Sequence, residues 1–157
     1  MIKLTEKTGQ VSSIDATLTL PLHSRIKSRL RVILDNGEDA GLFLERGTTL
    51  KDGDMLRTDD GFSVLVKAAE ETLSTVISDD PHLLARACYH LGNRHVSIQI
   101  EPKRVSYIHD HVLDVMLRGL GMEVTTSNAP FEPEPGAYGG SAEKGHKHHG
   151  HSHGHQH

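Results

Sequence analysis

Two short segments, each opened by an aspartate and each ending near a glycine, constrain this chain more than any other feature. Asp80-Pro81 precedes HLLARACYHL, and Asp110 precedes HVLDVMLRGL. Aspartate is a favoured N-cap, and proline at the first helical position is already set to helical φ. Leu83, Ala87 and Leu91 form one i, i+4 row, with Leu84 and Cys88 beside it. Val112, Leu113, Met116, Leu117 and Leu120 form the apolar side of the second segment. Both patterns have the helical period. Gly92 stands where the residue just past the first helix is expected, a position that favours glycine. Strand-like runs flank the helices: Thr72 to Ser78, then Val96, Ile98 and Ile100 in alternation, Val105 to Ile108, and Met122 to Thr126. The order is β-α-β-β-α-β, a ferredoxin-like arrangement with two helices on one face of a four-stranded antiparallel sheet.

Upstream, the period is two and no helical pattern interrupts it. Ala16, Leu18 and Leu20 alternate with threonines, and Leu30, Val32 and Leu34 alternate with Arg29, Arg31 and Ile33. Asp35-Asn36-Gly37 then leads into Gly41-Leu42-Phe43-Leu44, and Asn-Gly between apolar runs is a strong hairpin signal. Turns at Lys51 to Asp54 and Asp59 to Gly61 precede Met55 to Arg57 and Phe62 to Val66. Short strands at this spacing predict a small antiparallel sandwich or barrel-like domain.

The chain is therefore expected to be α+β, with a β-rich domain over residues 1–70 and a ferredoxin-like domain over 71–128. From 129 to 157 the composition shifts to PFEPEPGAYGGSAEKG and then HKHHGHSHGHQH. Such a stretch has too little apolar surface to offset its ordering entropy and reads as a disordered linker and tail.

Several function classes are disfavoured. No run approaches the ~18 apolar residues of a membrane span. MIKLTEKTGQ has no apolar signal core, so a cytoplasmic protein is expected. A net charge of −4 argues against a nucleic-acid partner held through phosphates. No phosphate-binding glycine loop and no nucleophile elbow is present, so an enzyme is not expected. Cys88, the only cysteine, lies in an apolar setting that predicts a buried, inert thiol.

Histidine carries the positive signal. Of 13 His, seven fall in the final stretch: His146, His148, His149, His151, His153, His155 and His157. Imidazole suits Ni²⁺, Cu²⁺, Zn²⁺ and Co²⁺. His109 and His111 flank Asp110; on a strand they would share a face, and at a helix start they would diverge. His95 follows the first helix. One His cannot build a site, but two copies across a two-fold axis can meet one ion. His90 reads as structural, and His23 and His82 as exposed.

The segment from Ala87 to His95, ACYHLGNRH, together with Asp110-His111-Val112-Leu113 and the following Met116, Leu117 and Gly119, resembles the urease accessory protein UreE family. The resemblance extends over essentially the whole chain. It implies a nickel metallochaperone that delivers Ni²⁺ to apo-urease and dimerises through its C-terminal domain. It also implies that the residue matching His95 binds Ni²⁺ with its symmetry mate. His109 and His111 would supply an additional metal site. The accessory GTPase UreG and the urease activation complex are the implied partners, and the N-terminal domain would contact other proteins. A metal-storage protein, or an assembly chaperone with incidental metal binding, are the alternatives.

Overall fold

Alternating apolar residues bring the first half of the chain into seven strands and one short helix. They are β1 (Ile2–Leu4), β2 (Glu6–Thr8), β3 (Ala16–Leu20), α1 (Leu22–Arg25), β4 (Arg29–Ile33), β5 (Asp39–Phe43), β6 (Met55–Arg57) and β7 (Ser63–Ala68). In this computed structural model residues 1–9 and 13–136 are described. One sheet has the order β1-β5-β4 and the other β2-β6-β7-β3. Their inner faces share a core that includes Leu4, Leu18, Leu42, Leu56, Val64 and Val66. Asn36-Gly37 turns the β4–β5 hairpin, with Gly37 at φ 93°.

The sandwich corrects the antiparallel expectation. β1 pairs with β5 and β3 with β7 in parallel, so both sheets are mixed. Alternation tells a strand which face to bury but not which neighbour to take. The short α1 was also not signalled, because four residues cannot establish a helical period.

The second half contains β8 (Glu70–Ile77), α2 (Pro81–Asn93), β9 (Gln99–Glu101), β10 (Arg104–Ile108), α3 (His111–Gly119) and β11 (Thr125–Pro130). The sheet order is β11-β8-β10-β9, and all three pairings are antiparallel. The last of the four strands thus lies beside the first, the ferredoxin-like order expected. Both predicted caps form: the Asp80 side chain accepts from the His82 N–H, and Asp110 accepts from Val112 and Leu113. Ala87, Leu91, Leu113 and Leu117 pack from the helices onto Val76, Val105 and Tyr107 of the sheet.

β9 and β11 differ in extent from expectation. β9 begins only at Gln99, because the chain must first leave α2 through a turn. β11 starts and ends later than predicted and runs to Pro130, with Phe131 fully buried behind it. The linker expected from residue 129 is therefore anchored at its start. Its anchor is Arg25, 1% exposed, whose guanidinium donates to the carbonyls of Leu20, Leu50 and Phe131 and to the Glu132 carboxylate. Glu132 also accepts from the Asp52 N–H, and the Glu134 N–H donates to Ile98. Ala69 is the single residue between β7 and β8, and its N–H bonds the Leu20 carbonyl.

Candidate metal centre

The His95 backbone is left-handed, with φ 62°. Helix α2 does not stop at Gly92; it continues to Asn93, and Arg94 is the cap. The His95 N–H donates to the Gly92 carbonyl at 2.9 Å and the Val96 N–H to Leu91 at 3.2 Å. These are the two bonds of a Schellman closure, whose left-handed position is usually filled by glycine. Here a histidine fills it. A side chain in that conformation costs about 1–2 kcal/mol relative to glycine. His95 is exposed, and no side-chain hydrogen bond from its ring is found among the described residues. The strained residue therefore presents an imidazole to solvent with no hydrogen bond to hold its ring among the described residues.

His109 and His111 lie on either side of the α3 cap. His109 is the first residue past β10, and His111 is the first residue of α3. The pair is therefore neither two residues of one strand nor two residues of one helix. The His109 N–H bonds the Thr72 carbonyl at 2.9 Å, tying this corner to β8. Its ring Nδ1 lies 3.2 Å from Asp114 Oδ2 and 3.0 Å from the Ser74 hydroxyl. The Tyr107 hydroxyl donates to Asp114 Oδ1 at 2.6 Å.

Asp114 and Tyr107 carry opposite perturbations. Burial acts to raise the Asp114 pKa. Hydrogen bonds from Tyr107 and Ser74 and the nearby His109 and Arg118 outweigh it, and the carboxyl is held below its ordinary value. Burial, then the hydrogen bond to Asp114 and its charge, push the Tyr107 phenol above its ordinary range. Cys88 is half-buried, and that burial raises its thiol, in keeping with an unreactive role.

Serine, histidine and aspartate therefore meet here, but not in a nucleophile-activating arrangement. Both Ser74 and Asp114 lie on the same ring nitrogen. A relay needs the hydroxyl on one nitrogen and the carboxylate on the other.

Within the single chain, no three His, Cys, Asp or Glu side chains converge on one point among the described residues. His95 and the His109/His111 corner are separate features. His146, His148, His149, His151, His153, His155 and His157 lie outside the described residues. His23 and His82 are exposed as expected, and His90 is half-buried against the Tyr89 ring edge. Two clefts, of about 420 and 240 Å³, contain no histidine in their walls. Asp114, Tyr107 and Ser74 were missed by sequence reading. The available signal was Asp114 itself, a carboxylate beside Leu113 on the buried side of α3.

Apolar side chains also remain outside the core. Tyr89 on α2 and Val112 and Val115 on α3 are all more than half exposed. No helix among the described residues is long and apolar enough to cross a membrane.

The architecture is thus a mixed β-sandwich joined to a ferredoxin-like domain that displays histidines at its helix ends. The family model described as "UreE urease accessory protein, N-terminal domain" matches residues 4–69. The one described as "UreE urease accessory protein, C-terminal domain" matches residues 71–157. A protein named "Urease accessory protein UreE" from Alkalilimnicola ehrlichii is 59% identical over 140 residues, covering 89% of this chain and 86% of that one. One of the same name from Citrobacter koseri is 51% identical over 158 residues and covers both chains fully. A third, from Shewanella halifaxensis, is 55% identical over 90% of this chain and 82% of its own. The chain belongs to the UreE urease accessory protein family.

Proposed function

We propose that this protein is a cytoplasmic nickel metallochaperone that captures Ni²⁺ and delivers it to apo-urease during metallocentre assembly. The observation that carries the reading is the strained, exposed His95 at the end of α2. Backbone strain persists only where the surrounding structure imposes it, and it clusters at functional sites; this residue offers an imidazole with no hydrogen bond among the described residues.

A single exposed imidazole is a weak site. Two from a symmetric pair of chains give one ion two ligands at a two-fold axis. The exposed Tyr89, Val112 and Val115 on the neighbouring helices support a homodimer through the C-terminal domain. A sparse ligand set suits cargo that must leave, since ligand exchange with a partner needs open coordination positions. The accessory GTPase UreG is the proposed recipient, within the urease activation complex. The sandwich domain offers a surface for protein contacts.

His109 and His111 form a second, peripheral capture site, and His146 to His157 add collecting capacity. Co²⁺, Zn²⁺ and Cu²⁺ compete in vitro, Cu²⁺ at least as tightly as Ni²⁺. Capture weakens as pH falls through the ordinary histidine pKa of about 6.5, because ligands must be deprotonated.

Equilibrium dialysis of nickel tests this with a chain lacking residues 144–157. In that background His95→Ala removes the tightest site. Retention of that site rules out the His95 assignment. Nickel-replete cells lacking the protein separate delivery from storage: delivery predicts that urease activation falls, and storage predicts that it does not.

A further inference from the structure

We propose that Asp114 is a positioning residue for metal capture at His109, fixing the imidazole tautomer that leaves Nε2 as the ligand nitrogen. This rests on the reading of His109 as a capture ligand given above.

An ionised carboxylate has only lone pairs. Oδ1 of Asp114 is taken by the Tyr107 hydroxyl at 2.6 Å, and Oδ2 faces His109 Nδ1 at 3.2 Å. Facing that carboxylate, Nδ1 is favoured when it carries the hydrogen rather than a second lone pair, and the Ser74 hydroxyl, 3.0 Å from the same nitrogen, is then its acceptor. A neutral imidazole has one N–H, so Nε2 then holds the lone pair. No hydrogen bond among the described residues engages that nitrogen.

Three elements hold the ring in this orientation: Ser74 on β8, Tyr107 on β10 and Asp114 on α3. The Asp114 side chain is 3% exposed while the His109 side chain is 42% exposed. The buried partner therefore sits behind a ring whose other edge is accessible. A carboxylate behind an imidazole is the outer-shell pattern that orients a metal-binding histidine and raises its basicity. An aspartate kept on the apolar side of a helix costs desolvation, and Tyr107 alone does not require two carboxylate oxygens.

Asp114→Asn preserves the volume and reverses the logic. Its oxygen still accepts from Tyr107, but its amide donates towards Nδ1. The favoured tautomer then becomes Nε2–H, which has no lone pair to offer on the accessible edge.

The experiment uses the full-length chain at about pH 8, where an ordinary imidazole is neutral. Nitrogen NMR of the metal-free protein gives the His109 tautomer. Nickel titration, read by paramagnetic broadening of the amides around residue 109 and separately around residue 95, gives occupancy site by site. The wild type is expected to show Nδ1–H at His109, and Asp114→Asn to show Nε2–H. The titration midpoint around residue 109 rises by roughly 10- to 100-fold in the variant, and that around residue 95 stays unchanged. Tyr107→Phe, which keeps the carboxylate, retains the wild-type tautomer.

Finding Nε2–H in the wild type overturns the inference with no variant needed, so a variant that fails to fold does not protect it. An unchanged tautomer or an unchanged midpoint around residue 109 in folded Asp114→Asn overturns it as well. His109→Ala separates the two claims. If it leaves nickel broadening at that corner intact, the ligand reading itself fails.

Discussion

Replacing His95 by glycine separates the cost of its backbone from the use of its ring. At φ 62° a non-glycine residue loses about 1–2 kcal/mol. Glycine removes that strain but brings about 0.5–1 kcal/mol of extra unfolded-state entropy. The ring makes no side-chain hydrogen bond among the described residues, so little else is lost. His95→Gly is therefore expected to stabilise the metal-free protein by about 0.5 kcal/mol. With a urea slope of about 2 kcal/mol per molar, the midpoint rises by about 0.25 M. His95→Ala keeps the strain and is expected to lie about 0.5 kcal/mol below glycine, level with the wild type. Ala85, exposed on the same helix, provides the opposite control: Ala85→Gly costs about 1 kcal/mol. Urea unfolding with chelator present gives these values, and nickel dialysis on the same preparations gives binding. The expected pair of results is equal or higher stability with loss of the tightest nickel site. A loss of more than about 1 kcal/mol in His95→Gly would refute the reasoning, since the ring would then be packing rather than displayed.

Other outcomes follow from the same structure. Arg25→Met strips three carbonyls and Glu132 of a shared donor and is expected to cost about 3 kcal/mol in urea unfolding. Glu132→Gln, at a partly exposed side chain, costs under about 1 kcal/mol; equal losses would contradict a clasp centred on the arginine. Alkaline pH provides a third test. The Tyr107 pKa is raised in the folded state, so its contribution is complete below the unfolded value of about 10 and is lost as pH rises through the folded one. Stability should thus fall more steeply above about pH 10 in the wild type than in Tyr107→Phe. Parallel slopes in urea titrations at stepped pH would rule this out.

The parts of the fold that were legible are those written in local chemistry. Asp80-Pro81 and Asp110 mark their helix starts because capping involves residues two or three apart. The ferredoxin-like order was legible because the hydrophobic period switches between two and 3.6 within one short stretch. The parallel pairings β1–β5 and β3–β7 were not, since each depends on a partner chosen across many residues. Phe131 was hidden by its neighbours: prolines and glutamates read as linker, and the arginine that anchors them stands 106 residues earlier. At the site, exposed histidines could be nominated by residue type. The left-handed His95 could not, because Gly92 offered a more ordinary end to α2. Asp114 was concealed by a pattern that counted only apolar positions.

The Arg25 clasp alters what counts as a module in this chain. The two matched segments meet near residue 70, and a cut there looks clean in sequence. In space the second segment returns to the first, with Phe131 and Glu132 closing on Arg25 and Asp52. A C-terminal half grafted onto a foreign sandwich would carry half of a lock whose other half lies in α1 and before β6. Recombination between relatives should therefore tolerate crossovers near residue 70 only when Arg25 and the Phe131-Glu132 pair travel as matched alleles.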